Sequence, residues 1–237
     1  MICKQYRESQ VYQYTRFLCD YEIKMSSTDY SGQFLQEHDC APPLMSEKDT
    51  DDEYTSEDSP TESSEMDGEG SVDEDGVTEL MKAARRNDVD AVKRYIPQQA
   101  GMVAKFFRAG GVNIYEGTAL MVAAVLGHAE VVKLLMKHES GMMSSDKHTA
   151  LMWAAVNGHT EVVRLLVDAE GCMKRSEGWT ALVGAASFGH LECVKLLLEK
   201  EKDVGGEVAL YMASTWGNSE VVSFLKSKGI ELIDSDL

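Results

Sequence analysis

The segment TALMVAAVLGHAEVVKLL at residues 118–135 returns with few changes at residues 149–166 and again at residues 180–197. A weaker copy, VALYMASTWGNSEVVSFL, occupies residues 208–225, and a degenerate copy begins at Thr78. A fixed period of this kind is typical of a repeat architecture in which each unit buries its apolar face against its neighbours. The sequence therefore predicts five structural units.

Each copy has the pattern of two helices joined by a tight turn. Paired alanines, as at residues 123–124, allow the first helix to pack closely, and the glycine that follows, as at Gly127, adopts the left-handed conformation that ends it. The run VVKLL at residues 131–135 has the apolar spacing of a second, amphipathic helix. We expect an all-α solenoid whose first and last units act as caps. The predicted units are about 76–96, 116–140, 147–171, 178–202 and 206–230.

This motif resembles the ankyrin repeat, whose usual pattern is G-x-T-P-L-H-x-A-A-x-x-G-H-x-E-V-V-x-L-L. The resemblance covers about residues 76–230, with Ala119 at the position of the family's Pro and Met121 at that of its His. The T-A-L-M variant with short inter-repeat segments is similar to the large ankyrin-repeat families of diplomonad protists. The resemblance implies an array that binds partner proteins and has no catalytic site and no cofactor.

The first two units are separated by a longer step than the others. Thr78 and Thr118 are 40 residues apart, whereas the next step is 31 residues, so an insertion lies within residues 97–117. We expect Pro97 to end the second helix of the first unit. Residues 103–107 then predict a short extra turn of helix, whose role stays open.

Charge is concentrated in one part of this 237-residue chain. Residues 46–76 hold 14 acidic residues and one basic residue, while the net charge of the whole chain is −17. The acidic balance argues against nucleic-acid partners, and no run approaches the ~20 apolar residues of a membrane-spanning helix. Five cysteines without a C-x-x-C pair favour reduced thiols and the cytoplasm, with a nuclear or cytoskeletal location left open.

Residues 1–75 are predicted to form a disordered arm, because the acidic low-complexity stretch at 46–76 holds too few apolar residues to offset chain entropy. A linker, a phosphorylation switch and a degradation signal all fit this composition. Within residues 46–76, six Ser or Thr residues have an acidic residue three positions later, which suits an acid-directed kinase. These phosphorylation candidates are Ser46, Thr50, Thr55, Ser59, Ser64 and Ser71.

Three equivalent histidines, His128, His159 and His190, invite a metal-binding interpretation. Stacked repeats are about 8–10 Å apart, whereas zinc needs its nitrogen ligands within about 2.1 Å. The histidines are therefore predicted to be structural turn residues. No nucleophile motif, phosphate-binding loop or metal signature is present, so we expect no enzymatic activity.

In the ankyrin family the two residues after each alanine pair face the concave side, where partners dock. Transferred to this chain, the candidate partner-binding residues are Arg85, Arg86, Val125, Leu126, Val156, Asn157, Ser187, Phe188, Thr215 and Trp216, with Trp179 as a weaker candidate. Arg86, Phe188 and Trp216 lead this set because Arg and large aromatics are enriched at binding hot spots. Trp153 is instead expected to pack between helices.

The predicted function is a non-enzymatic scaffold or adaptor that binds one or more partner proteins. The alternative is a regulatory subunit or inhibitor of a kinase, phosphatase or ubiquitin ligase, switched through the acidic arm. Residues 77–108 carry a net charge of +4 directly after the acidic stretch. This juxtaposition suggests that the arm folds back on the basic first repeat.

Overall fold

The computed structural model describes residues 72–175 and 178–232. This part of the chain forms helices in antiparallel pairs and one β-hairpin inserted after the first pair. The elements are α1 (Glu79–Arg86), α2 (Val89–Gln99), β1 (Ala104–Ala109), β2 (Val112–Gly117), α3 (Ala119–Leu126), α4 (Ala129–Glu139), α5 (Ala150–Val156), α6 (Thr160–Glu170), α7 (Ala181–Ser187), α8 (Leu191–Thr215) and α9 (Ser219–Ser227).

The odd-numbered helices α1, α3, α5 and α7 stack side by side, and each starts after a threonine. The Thr78 hydroxyl accepts from the Met81 N–H at 3.1 Å, and Thr149 makes the same cap with Met152 at 3.3 Å. Such a cap satisfies one of the four backbone donors left free at a helix start. The alanine pairs of these helices are fully buried, so the predicted close packing of the first helices is confirmed.

The turn inside each unit also follows the prediction. Gly127, Gly158 and Gly189 have φ values of 75°, 73° and 74°, which is the left-handed conformation that ends a helix at little cost for glycine. There is a second reason for glycine here: a side chain at Gly158 would come within 2.7 Å of the His190 ring of the next unit. The turn must therefore stay bare for the repeats to approach.

The turn histidines connect one unit to the preceding one. His159 Nε2 lies 2.8 Å from the Val125 carbonyl oxygen, and His190 Nε2 lies 2.9 Å from that of Val156. These carbonyls stand at the ends of α3 and α5, where the helix itself provides no donor. In the last unit Asn218 replaces histidine and donates to the Ser187 carbonyl at 2.7 Å. The predicted structural role of the histidines is confirmed.

In the second, third and fourth units a buried carboxylate at the end of the second helix binds backbone N–H groups. Glu139 Oε2 accepts from the Leu120 N–H at 2.7 Å, at the start of α3 in its own unit. Its Oε1 accepts from the Gly101 N–H at 3.0 Å, in the segment that follows the preceding helix pair. The carboxylate of Glu170 repeats this bracket and so does that of Glu201, each 31 residues further along. Burial raises the pKa of Glu139.

The insertion forms a hairpin, so the predicted extra helical turn at residues 103–107 is wrong. Strands β1 and β2 pair antiparallel, and Ala109 faces Val112 across a two-residue Gly110-Gly111 loop. Both glycines have positive φ, 53° and 79°, as a type I′ turn requires. The physical reason is the turn chemistry of two adjacent glycines between segments with strand-like side chains.

Pro97 does not end the second helix of the first unit, which also corrects the prediction. Helix α2 continues to Gln99, with Pro97 inside its last turn. The Gln99 side chain is buried, and its Oε1 accepts from the Leu80 N–H at 2.8 Å. This anchor, equivalent to the glutamate brackets of later units, holds the helix end in place despite the proline.

The last two units share a single bent helix in place of the predicted separating loop. Glu201 bonds to Leu182 at the start of α7, whereas Asn218 bonds to Ser187 at its end. A straight helix would carry residue 215 about 21 Å beyond residue 201, away from α7. Helix α8 therefore changes direction between residues 201 and 215.

Removing a glutamate bracket should destabilise the array strongly. The change Glu139→Ala leaves two buried backbone N–H groups without an acceptor, so we expect a loss of about 2–4 kcal/mol in the free energy of unfolding. Glu139→Gln, which keeps an oxygen acceptor as Gln99 does, should lose about half as much. Urea unfolding followed by far-ultraviolet circular dichroism measures both.

The matched control for this prediction is Glu130→Ala on the same helix. Glu130 is exposed and pairs only with Lys133 at 2.7 Å, an arrangement worth at most about 0.5–1 kcal/mol. Equal losses for Glu139→Ala and Glu130→Ala would show that the buried bracket does not stabilise the stack.

The stability of the array should also fall in mild acid through His148. Its ring is buried, stacks on Trp153 at 4.6 Å and accepts from Arg175 Nη1 at 3.1 Å. Burial first, and the nearby Arg175 charge second, hold the pKa of His148 well below its usual 6.5. Because the unfolded chain takes up this proton first, stability present above pH 6.5 is lost as the pH falls below it.

We expect His148→Phe, which keeps an aromatic ring against Trp153, to flatten this loss. The wild type should lose up to about 1.4 kcal/mol per pH unit relative to the variant below pH 6.5. Thermal or urea unfolding across a pH series measures the difference, with the exposed His138→Gln as control. Parallel pH profiles for wild type and His148→Phe would contradict the prediction.

Candidate functional site

The predicted partner-binding residues fall into two groups in the structure. At the first position after each alanine pair, Val125, Val156 and Ser187 are buried. At the second position the side chains are exposed or half-buried. In the first unit the accessible residues are Arg85 and Arg86, and we use the name inner row for those of the later units, which are Leu126, Asn157, Phe188, Thr215 and Trp216.

The prediction that Val125, Val156 and Ser187 face a partner is wrong, because neighbouring elements cover them. The hairpin tip lies against Val125: a Cβ built at Gly110 would be 3.1 Å from Val125 Cγ1. Val156 packs on the next unit, where a Cβ at Gly184 would be 2.9 Å from Val156 Cγ2. Ser187 turns its hydroxyl back to the Val183 carbonyl at 2.8 Å.

The tryptophans before and within the helices belong to the core. Trp179 is completely buried, so its prediction as a partner contact is wrong. Its backbone carbonyl closes the loop before α7 by accepting from the Arg175 N–H at 2.9 Å. Trp153 is 2% exposed and packs within the core, as predicted.

Several side chains of the inner row have local partners as well as an accessible surface. The Asn157 amide donates to the Trp153 carbonyl at 2.8 Å, and Thr215 donates to the Tyr211 carbonyl at 2.9 Å. The Phe188 ring stacks near His190, with centroids 6.4 Å apart. These contacts fix the side chains in place before any partner binds, which lowers the entropic cost of binding.

The largest change from the sequence prediction is a cleft of about 570 Å³ between α1 and the inserted hairpin. We name it the basic cleft. Its walls carry cations, aromatic rings and two carboxylates. The lining residues are Asp73, Asp75, Val77, Lys82, Arg85, Arg86, Phe106, Phe107 and Arg108.

The guanidinium groups of the basic cleft are available to a ligand. Arg85, Arg86 and Arg108 are exposed, and none of them forms an ion pair with another residue of the described ranges. The Arg85 guanidinium lies 6.0 Å from the centre of the Phe107 ring, which holds it against the hairpin. Arginine forks of this kind bind carboxylate and phosphate groups with paired hydrogen bonds.

Of the other three charged side chains that line the cleft, Lys82 and Asp73 are engaged in local hydrogen bonds. Lys82 Nζ donates to Glu79 at 2.9 Å, a bond that raises the pKa of Lys82. Asp73 Oδ1 accepts from the Val77 N–H at 2.8 Å and from the Asp75 N–H at 3.2 Å. The carboxylate of Asp73 thus serves its own turn, and the three arginines dominate the field of the cleft.

The N-terminal end of the described chain lies on this cleft. Val72 pairs with Thr78 as an isolated antiparallel bridge, and the Lys105 N–H of the hairpin donates to the Asp75 carbonyl at 2.8 Å. The described structure therefore includes residues 72–75, which lie before the predicted domain boundary. The six phosphorylation candidates and residues 1–71 lie outside the described residues.

Sequence reasoning identified Arg85 and Arg86 but not the hairpin residues that line the cleft with them, Phe106, Phe107 and Arg108. The missed signal was the pair Gly110-Gly111 between two strand-like segments, which favours a hairpin. That the hairpin folds toward α1 depends on packing and carried no signal in the sequence.

Two further kinds of site, a metal centre and a membrane-spanning helix, concern the described residues. No group of three or more His, Cys, Asp or Glu side chains there is arranged to hold a metal ion. None of the helices in the same ranges combines the length and apolar character needed to cross a membrane.

Comparison with known families agrees with the observed helix pairs. The family model described as "Ankyrin repeats (3 copies)" matches residues 80–175 and 168–236, about two thirds of the chain. No curated protein matches the chain in a sequence search. With the stacked helix pairs, capped turns and family match together, this chain belongs to the ankyrin-repeat family.

Proposed function

We propose that this protein is a non-enzymatic adaptor or scaffold that binds an acidic segment of a partner protein in the basic cleft and along the inner row. Ankyrin repeats are in general protein–protein interaction modules, which supports the coarser part of this statement. The free thiols of Cys172 and Cys193 suit a role in the cytoplasm.

The observation that carries the proposal is the set of three exposed guanidinium groups around one cleft. Arg85 and Arg86 come from the end of α1, and Arg108 comes from β1. A cleft of about 570 Å³ accommodates a few side chains of an extended peptide rather than a whole helix. Carboxylates or phosphates in such a peptide would meet the arginines with charge-assisted hydrogen bonds.

The inner row supplies the apolar part of the proposed interface. From the hairpin tip it passes Leu126 and Asn157 to the half-buried rings of Phe188 and Trp216. Aromatic side chains fixed by local packing are suitable anchors at the centre of an interface. The expected partner therefore combines an acidic end over the cleft with apolar residues over the row, and duplex nucleic acid does not fit this pattern.

A second candidate function is favoured by the position of the N-terminal arm. In this alternative the protein is a regulatory subunit or inhibitor of a kinase, phosphatase or ubiquitin ligase, switched by phosphorylation or turnover of residues 46–71. The supporting observation is that the arm joins the array at Val72, beside Asp73 and Asp75 of the basic cleft. A charge change in the arm would act directly on that cleft.

Two triple variants with equal change in charge test the adaptor proposal. The cleft variant removes the three guanidinium groups of the basic cleft, and the outer control removes three exposed cations elsewhere on the array. The cleft variant is Arg85→Gln/Arg86→Gln/Arg108→Gln, and the outer control is Arg164→Gln/Lys195→Gln/Lys226→Gln.

We expect the cleft variant to bind a captured partner at least tenfold more weakly than wild type, which corresponds to about 1.4 kcal/mol or more. The outer control should stay within about twofold, because exposed ion pairs contribute little. Partner capture followed by affinity measurement at two salt concentrations tests this, after circular dichroism shows equal helix content. An equal loss of affinity in both variants would show that partner binding depends only on net charge, and it would overturn the cleft proposal.

The apolar half of the interface needs a separate variant, Phe188→Ala/Trp216→Ala. Loss of binding that does not depend on salt concentration is expected, since these rings contribute buried area rather than charge. Unchanged affinity would remove the inner row from the interface and leave the cleft as the whole binding site.

A further inference from the structure

We propose that the basic cleft has an occupant within the same chain: the acidic segment at residues 46–71 docks across Arg85, Arg86 and Arg108 and competes with acidic partners. The competition, though not the docking, rests on the function proposed above. The inference follows from three features of the described residues, namely where the arm begins, which charges the cleft leaves unpaired, and how short the connection is.

The arm joins the repeat array at the wall of the basic cleft. Its first described residue, Val72, pairs with Thr78, the residue that caps α1. Asp73 and Asp75 already line the cleft, and the Asp75 carbonyl is tied to β1 through Lys105. The described part of the arm thus pairs with the residue that caps α1 and with β1, and these two elements carry the arginines.

The charges of the arm and of the cleft are opposite in sign. Residues 46–71 hold eleven carboxylates and one basic residue, Lys48. Facing them are three guanidinium groups that have no ion pair within the described ranges. Asp73 and Asp75 also line the cleft, and the Asp73 carboxylate accepts the N–H groups of its own turn. The four cations of the lining, Lys82 and the three arginines, outnumber these two carboxylates, and the adjoining arm carries eleven more.

Because the acidic segment is covalently linked to the array close to the cleft, weak ion pairing is sufficient for docking. Residues 62–71 extend at most about 33–36 Å, and tethers of this length give effective concentrations on the order of millimolar. Glu62, Glu65, Asp67 and Glu69 lie in this stretch. An external acidic peptide at micromolar concentration then competes against a segment that never leaves the vicinity of the cleft.

Phosphorylation would strengthen the same contact. Ser64 and Ser71 each have an acidic residue three positions later, and Ser71 directly precedes Val72. A phosphate adds about 1.5–2 negative charges and three acceptor oxygens, which suit arginine better than a single carboxylate does. Phosphorylation of the arm would then favour its docking over the binding of an acidic partner.

Nuclear magnetic resonance of the isotope-labelled full chain tests the docking itself. The readout is the set of amide signals from residues 46–71 in wild type, the cleft variant and the outer control. We expect the cleft variant to shift and sharpen these signals, while the outer control leaves them as in wild type. If the arm signals of wild type and cleft variant coincide, the arm does not occupy the cleft and the inference is overturned.

A binding measurement tests the competition with a defined probe, a fluorescent deca-glutamate peptide. In a neutral-arm variant of the full chain, the eleven carboxylates of residues 46–71 are replaced by the corresponding amides. We expect this variant to bind the probe about tenfold more tightly than wild type at low salt. Equal affinities in the two proteins would overturn the competition.

The two proposals fail in different ways. If the neutral-arm variant binds no probe although the arm signals respond to the cleft variant, the cleft takes only its own arm and the proposed binding of acidic partners fails. If the probe binds wild type and neutral-arm variant equally, and only the cleft variant loses it, acidic partners bind and the arm is no competitor.

Discussion

The fold depends on satisfying the backbone groups at helix ends. The side chains that do this bind backbone groups of their own unit and of the preceding one. Glu139, Glu170 and Glu201 accept N–H groups from the start of their own unit and from the segment after the preceding one. At the opposite end, His159 and His190 bond to carbonyls that close the preceding helices. Because the helices other than α8 are short, unsatisfied ends would cost as much as the packing gains, and no unit is complete alone.

The same constraint explains the departures at the two ends of the array. The first unit uses Gln99 in place of glutamate, and its loop leads into the hairpin rather than directly into the next helix. The last unit uses Asn218 in place of histidine and follows a bent helix instead of a loop. Each end keeps the hydrogen bond and changes its donor or acceptor, so the requirement lies in the backbone group and not in the residue type.

The insertion turns a regular stack into one with a directed binding surface. The hairpin covers Val125 and places Arg108 opposite Arg85 and Arg86, which separates a charged cleft from an apolar row along the remaining units. A single stacking architecture thereby offers two chemically different surfaces, and the acidic arm enters at the charged one. We propose that the basic cleft both binds the partner protein and is the place where the arm competes with that partner.

The sequence by itself determined the repeat: the period, the alanine pairs, the turn glycines and the structural histidines all followed from spacing and local conformational preference. The buried glutamates also recur every 31 residues, so their part in the repeat could have been predicted from the sequence. Only the tertiary structure decided that the hairpin folds over Val125 toward α1, that one helix, α8, spans the last two units, and that Trp179 is buried. These outcomes depend on which surfaces meet after the units stack, and contacts between residues distant in the chain leave no local pattern.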